Sequence, residues 1–175
     1  MQLAVEHLVG LGHRRIAHIG GPRDADTARR RLAGFRAGMR AARLRVPATY
    51  VAEAPYEEEG GEQAMARLLE LDPRPTAVVV WSLAAAIGAL AAANARGIRI
   101  PEELSMVGFH DAPIAAYLHP PLTTVRMPLR EMAERSVDVL LGFIHGTDPG
   151  PRARNIVVAT PPVLVERAST QPPDL

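Results

Sequence analysis

The sequence predicts an α/β fold built on a doubly wound parallel sheet. Short apolar runs alternate with helix-like segments along most of the 175 residues, and such alternation favours βαβ units. The central run Ala77–Trp81 is apolar at every position. A strand without a polar face is typical of a parallel sheet that helices cover on both sides.

The composition limits the class of protein. Apolar residues make up 47% of the chain, the formal net charge is +1, and there is no cysteine. This apolar content rules out disorder for the body of the chain, and the scattered basic residues give no nucleic-acid footprint. The absence of cysteine excludes disulfides and cysteine-based zinc sites. No signal peptide and no apolar run near the ~18 residues of a membrane span are visible, so we expect a soluble, cytoplasmic chain.

The N-terminal part predicts a helix, a strand and a second helix. Leucine and valine recur at helical spacing over residues 3–11. Gly12 follows at the position just past a helix end, where a left-handed backbone conformation favours glycine. Residues 16–19 form a short apolar run typical of a buried strand, which Gly20-Gly21-Pro22 ends. Apolar residues then recur at helical spacing over about 27–42.

The middle of the chain continues the alternation. Tyr50–Ala52 is a strand candidate, and three glutamates open a helix that begins near Glu57. After the strand Ala77–Trp81, the Ser82 hydroxyl can cap an alanine-rich helix through about Arg96. The run Leu104–Phe109 predicts the next strand.

The C-terminal part predicts a crossover, a helix and two strands. Pro120-Pro121 and the threonines after it favour an extended crossover, and residues 129–145 carry an apolar stripe at helical spacing. Strands are expected over 155–159 and 163–166, and the polar residues 169–175 are expected to form a frayed tail.

The pair His110-Asp111 is the first candidate for ligand contact. It follows the strand that ends in Gly108-Phe109. In an open parallel sheet, ligands bind outside the carboxyl ends of the strands. A neutral imidazole offers one donor and one acceptor, and a carboxylate accepts from hydroxyl groups. His110 would also titrate near neutral pH and make binding pH-sensitive.

Several segments together resemble the lactose/galactose-repressor (LacI/GalR) family of transcriptional regulators. The motifs occur in the family's order and spacing across nearly the whole chain. They are Gly12–Pro22, Arg31-Leu32-Ala33-Gly34-Phe35, Ile87-Gly88-Ala89-Leu90, Pro101–Phe109 and Pro120–Val125.

The resemblance implies an effector domain of two periplasmic-binding-protein-like lobes, with a small molecule bound between them. It implies that residues 1–122 form the C-terminal lobe, that 123–160 form a crossover segment and helix of an incomplete N-terminal lobe, and that 161–175 form a return strand and flexible tail. The helix-turn-helix head is missing, so operator DNA would be bound only through that missing domain. A homodimer is implied, with the helix from Ser82 and the segment 117–119 near its interface.

The resemblance also implies ligand contacts. Arg31 matches the arginine that binds the effector, and a guanidinium suits bidentate recognition of oxygens. The other interpretation is a solvated arginine beside Arg29 and Arg30. At the family's asparagine–aspartate pair stand Ser82, otherwise a helix cap, and Leu83, which has no hydrogen-bonding group.

The remaining contacts are those of Trp81 and of the family's aspartate pair. Trp81 either stacks on a ligand ring or fills the lobe. His110 replaces the first aspartate of the pair, and Asp111 keeps the second. A ligand that is less hydroxylated, more apolar or anionic would fit these changes, and so would a vestigial site.

The predicted function is an effector-binding and dimerisation module of a LacI-type repressor, without a cofactor. The alternative is a solute-binding protein of a transport system with the same fold. An enzyme is not expected, because no G-x-S-x-G elbow surrounds Ser82 and Gly10-Leu11-Gly12 ends a helix instead of following a strand. No metal site is expected, because the six histidines are scattered.

Overall fold

A computed structural model describes residues 1–146 and 157–174 of the chain. Within these residues, the α-helices are α1 Gln2–Gly10, α2 Asp26–Ala41, α3 Glu58–Leu69, α4 Leu83–Ala95 and α5 Leu129–Ile144. The strands are β1 Ile16–Gly20, β2 Val51–Glu53, β3 Ala77–Val80, β4 Ser105–Phe109, β5 Thr123–Arg126 and β6 Val163–Val165.

The strands form one sheet in the order β2-β1-β3-β4-β5-β6. The pairs β1–β2, β1–β3, β3–β4 and β4–β5 are all parallel. Every residue of β1, β3 and β4 is buried, as unbroken apolar runs predict. The predicted doubly wound α/β fold is confirmed.

Two helices pack unusually closely on one face of the sheet. A Cβ added to Gly61 of α3 would collide with the carbonyl group of Ala85, and one added to Gly88 of α4 would collide with the carbonyl oxygen of Glu58. The two glycines therefore let the backbones of α3 and α4 touch. Most of the alanine-rich α4 is buried between α3 and the strands β3 and β4.

The segment after the two prolines is a strand, which corrects the expectation of a simple crossover. Thr123 and Thr124 pair in parallel with Val107 and Gly108 of β4. Both threonines are fully buried, and their hydroxyls accept hydrogen bonds from the Arg167 backbone N–H at 3.0 Å and from the Arg167 side chain at 3.1 Å. Buried hydroxyls that are hydrogen-bonded are tolerated inside a sheet.

The prediction of a frayed tail is wrong for the residues around Ser169. Ser169 is fully buried, and its hydroxyl donates to the Met106 carbonyl at 2.6 Å and accepts from the Thr123 N–H at 2.8 Å. The buried ring of His13 lies 2.8 Å from the Gln171 carbonyl oxygen. Residues of the tail are thus hydrogen-bond partners of backbone groups in β4 and β5.

The contacts divide the chain into two units, Met1–Val125 with Leu164–Leu175, and Arg126–Val163. The second unit contains α5, in which no residue is buried. Of the strand predicted over 155–159, the first two residues lie outside the described part and 157–159 are not in a strand. The exposed apolar side chains of α5 are Leu129, Met132, Val137, Leu140, Leu141, Phe143 and Ile144.

His18 of β1 places a titratable ring in the core. Its Nδ1 donates to the Val79 carbonyl at 2.8 Å, and its ring stacks on Phe35 at 4.9 Å. The Nε2 atom is buried without a partner among the described residues. The pKa of His18 is lowered from 6.5 to about 4, chiefly by burial; the hydrogen bond to the Val79 carbonyl opposes this shift, and the nearby positive charges of the N-terminus, Arg36 and Arg31 add to it.

Stability should therefore fall as the pH falls from 6.5 to about 4. In that window the unfolded chain binds a proton that the folded ring excludes, so the free energy of unfolding drops by about 3 kcal/mol. Urea unfolding at several pH values measures this slope. His18→Asn should flatten it, while the exposed-site control His119→Asn should not. An unchanged slope in His18→Asn would refute this origin of the pH dependence.

Candidate functional site

The candidate site lies at the carboxyl ends of β1, β3 and β4. The chain order reverses between β1 and β3, which are neighbours in the sheet although β2 lies between them in sequence. Ligands of open α/β sheets bind at such a switch point. The residues Gly21, Trp81 and His110 follow these three strands directly.

Arg31 is turned toward this edge, unlike the two arginines before it. The side chains of Arg29 and Arg30 are 58% and 80% exposed and pair with Asp26. In contrast, Arg31 Nη1 donates to the Trp81 carbonyl at 2.9 Å, and Nη2 donates to His110 Nε2 at 3.1 Å. Burial lowers the pKa of Arg31. The structure thus brings Arg31, Trp81 and His110 together, as a shared site requires.

His110 is held in an unusual backbone conformation. Its φ is 74°, in the left-handed region, and its backbone N–H donates to the Val125 carbonyl at 3.0 Å. Burial, and then the charge of Arg31, lower the pKa of the His110 ring. The ring is therefore neutral at physiological pH, and the hydrogen bond from Arg31 fixes its orientation.

The ring of Trp81 is closely packed. Its side chain is only 2% exposed, and a Cβ at Gly21 would lie 2.6 Å from its ring, so the glycine lets the ring reach the backbone. The exposed Tyr56 packs edge-on against it at 5.0 Å. The indole Nε1 is buried and has no hydrogen-bond partner among the described residues.

Ser82 has the capping role that its position predicts. Its Oγ accepts a hydrogen bond from the Ala85 N–H at 3.2 Å at the start of α4. This bond satisfies one of the free amide groups of the first helical turn. The hydroxyl lies beside Trp81 in sequence and is partly exposed.

Asp111 has partners that the sequence analysis missed. Its side chain is 4% exposed and forms an ion pair with Arg167 at 2.7 Å. The Thr124 hydroxyl donates to the same carboxylate oxygen at 2.7 Å, and Arg167 also donates to the Leu122 carbonyl at 2.7 Å. Asp111 therefore ties the loop after β4 to β5 and to the chain after β6.

Phe109, like Arg167, is a residue at this edge that the sequence analysis did not select. The guanidinium carbon of Arg31 lies 4.2 Å from the centroid of its ring, and 5.6 Å from that of Trp81. Such placement is an attractive cation–π arrangement. The signal available in the sequence was only that an aromatic residue ends the strand before His110.

Two cavities lie beside the sheet. One, of about 410 Å³, lies at the amino ends of the strands and is lined by residues that include His13 and Thr76. The other, of about 390 Å³, lies beside α2 and β2 and is lined by residues that include Gly21 and Arg36. None of the five predicted ligand residues lines either cavity. The predicted ligand site therefore does not coincide with either cavity.

Other kinds of site find no support among residues 1–146 and 157–174. No three side chains of histidine, cysteine, aspartate or glutamate are grouped there in a way that would hold a metal ion. In the same ranges no helix has the length and apolarity needed to cross a membrane.

Comparison with known proteins gives a consistent result. The periplasmic binding protein-like domain family matches residues 5–170. The chain is 37% identical over 167 residues to the ribose operon repressor of Escherichia coli strain K12, covering 95% of this chain and 49% of the repressor. The chain thus spans about half the length of the curated relatives it matches.

Solved structures of regulators share the fold. A LacI family transcriptional regulator from Mycobacterium smegmatis is 40% identical, with a TM-score of 0.90, and the match covers 99% of this chain and 63% of that one. The Lac repressor dimer bound to operator and the anti-inducer ONPF is 33% identical, with a TM-score of 0.85 and coverages of 97% and 57%.

Proposed function

Because this chain belongs to the periplasmic binding protein-like domain family, in the form found in LacI-type transcriptional regulators, we propose that it binds a small-molecule effector. The effector contacts are made by Arg31, Trp81, Ser82 and His110 at the carboxyl edge of the sheet, with Asp111 fixing the loop that carries His110. The observation that carries the proposal is the Arg31 guanidinium, which is turned inward onto Trp81 and His110.

In a complete regulator, effector binding would alter operator affinity through a coupling between two sites. The DNA contacts would belong to a separate helix-turn-helix domain, and the regulator would act in the cytoplasm. The similar proteins named above are two repressors and a transcriptional regulator, which does not favour the transport alternative. We assign the site to binding and not to catalysis, since the Ser82 hydroxyl is engaged as a helix cap.

The regulator would act as a homodimer, as the Lac repressor structure does. Tyr117 is 76% exposed and Ile114 is 48% exposed, and both belong to the segment after His110. Most of α4 is buried within its own chain, which leaves only a narrow face of that helix for a partner. The segment 113–119 is therefore the main contribution of this chain to the proposed interface.

Replacing Arg31 with alanine should weaken effector binding by about 2 kcal/mol, roughly thirtyfold in Kd, because a charge-assisted hydrogen bond is lost. A thermal-shift screen of sugars, nucleosides and small acids would supply the ligand, and calorimetry would give the affinity. Arg30→Ala is the matched control, since its side chain is 80% exposed. Equal affinities of the Arg31→Ala variant and the unaltered chain would remove Arg31 from the site.

A further inference from the structure

The positive charge of Arg31 has no carboxylate partner in the described chain. None of the ion pairs within residues 1–146 and 157–174 includes Arg31. Its hydrogen bonds go to a neutral carbonyl and a neutral ring, and its cation–π contacts leave the charge uncancelled. A partly buried cation without a counter-ion attracts an anion more strongly than a solvated one does.

His110 adds a hydrogen-bond donor at the same place. A guanidinium has only donors, so the ring atom that faces Arg31 Nη2, His110 Nε2, must be the acceptor. The hydrogen of the neutral ring therefore resides on Nδ1. No hydrogen bond among the described residues gives this N–H an acceptor.

Trp81 adds a second unused donor. Its Nε1 is buried and has no partner within the described ranges, and leaving a buried donor unpaired costs free energy. The ring adjoins Arg31 and is covered by Tyr56, which is 58% exposed. A ligand acceptor that reached this N–H would relieve the cost.

The Asp111 carboxylate, which follows His110, forms its ion pair with Arg167 and not with Arg31. Asp111 is 4% exposed, and Arg167 and Thr124 both approach its Oδ1 at 2.7 Å. Its charge is therefore engaged by Arg167. The edge therefore holds the cation of Arg31 and the His110 N–H beside the Trp81 ring, whose buried N–H is unpaired among the described residues, while the Asp111 carboxylate is engaged by Arg167.

We propose that the part of the effector that contacts this edge is an oxyanion, either a carboxylate or a phosphate, and not the hydroxyl groups of a neutral sugar. This inference rests on the proposed effector-binding function and specifies the ligand class. Oxyanion atoms accept several charge-assisted hydrogen bonds from such a donor set. A neutral hydroxyl would leave the partly buried charge of Arg31 without a counter-ion, whereas an oxyanion supplies one.

The test compares ligands that differ mainly in charge. The ¹⁵N-labelled chain is titrated with ribose, ribonate, ribose 5-phosphate and inorganic phosphate at fixed ionic strength. Trp81 is the single tryptophan, so its indole N–H gives one resolvable NMR signal. The acids should shift this signal with a Kd at least about tenfold below that of ribose, as expected for one charge-assisted contact. Ribonate and ribose 5-phosphate separate a carboxylate from a phosphate, and a response to either supports the inference.

Two variants locate the effect. His110→Asp places a carboxylate beside Arg31, and aspartate tolerates a left-handed φ. Because this carboxylate repels an anionic ligand, the variant should weaken binding of the acids at least about tenfold more than it weakens binding of ribose. Arg31→Gln should also weaken binding of the acids. Arg30→Gln removes the same charge from an exposed position of α2 and should change the binding of neither the acids nor ribose.

The outcomes that overturn the inference are distinct from failure of the proposed function. If ribose binds as tightly as its acids, the edge recognises neutral ligands and only the inference fails. It also fails if Arg30→Gln reduces binding as much as Arg31→Gln, or if no anion shifts the indole signal at tens of millimolar. The proposed function itself fails only if no sugar, nucleoside or acid in the wider screen binds near Arg31.

Discussion

The Arg167→Met variant should unfold with a free energy about 3–5 kcal/mol below that of the unaltered chain. The substitution removes the cation that lies 2.7 Å from the Asp111 carboxylate, which is 4% exposed. A carboxylate left without its partner in such a place keeps the cost of desolvation and loses the compensating attraction. The substitution also removes the hydrogen bond that the Arg167 side chain donates to the Leu122 carbonyl. Urea denaturation followed by circular dichroism measures the effect.

A double-mutant cycle separates the ion pair from the rest of the arginine. Asp111→Asn with Arg167→Met should lose less stability than the sum of the two single changes, since neither partner is then left charged and alone. Arg23→Met is the control, because its ion pair with Glu53 has an arginine side chain that is 88% exposed; it should cost at most about 1 kcal/mol. Additive effects at Asp111 and Arg167 would show that the pair is energetically unimportant.

Replacing Gly88 with alanine should lower the free energy of unfolding by about 3 kcal/mol or more, because the added methyl group overlaps backbone atoms that cannot move independently. The contact is with the Glu58 carbonyl oxygen at the start of α3. To accept the methyl group, α3 and α4 must separate along their whole contact. Thermal and urea unfolding would report the loss.

Gly10→Ala provides the matched control for this effect. A Cβ at Gly10 meets nothing within 4 Å, and Gly10 is the last residue of α1. Alanine is the better helix former, so this variant should be neutral or more stable by up to about 1 kcal/mol. If Gly88→Ala were as stable as Gly10→Ala, the close approach of α3 and α4 would not describe the protein.

Local pattern was sufficient to predict most of the fold. The all-apolar run Ala77–Trp81 identified the central strand, and Gly12 adopts the left-handed conformation expected at a helix end, with φ 102°. Thr123 and Thr124 were not identified as part of a strand. Their hydroxyls depend on Arg167, more than forty residues later in the chain, for partners. The residues next to Thr123 and Thr124 in the sequence do not indicate such a distant partner.

Most residues of the candidate site could be predicted from the sequence, but the hydrogen bonds and ion pairs that they form could not. The position of His110 at the end of a strand was enough to select it, and Arg31 was selected through the resemblance. The direct hydrogen bond between them joins residues 79 positions apart, and the structure was needed to show it. The engagement of Asp111 by Arg167 was likewise invisible, because a single arginine after a strand has many other uses.

The left-handed backbone at His110 limits how this position can change. Its φ of 74° is accessible to few side chains other than glycine, asparagine, aspartate and histidine. Branched or bulky residues would strain the loop that Asp111 holds in place. Mutation at this position can therefore exchange an imidazole for a carboxylate or an amide, but not for a large apolar group. The backbone restricts the evolution of ligand preference here to a choice among a few polar groups.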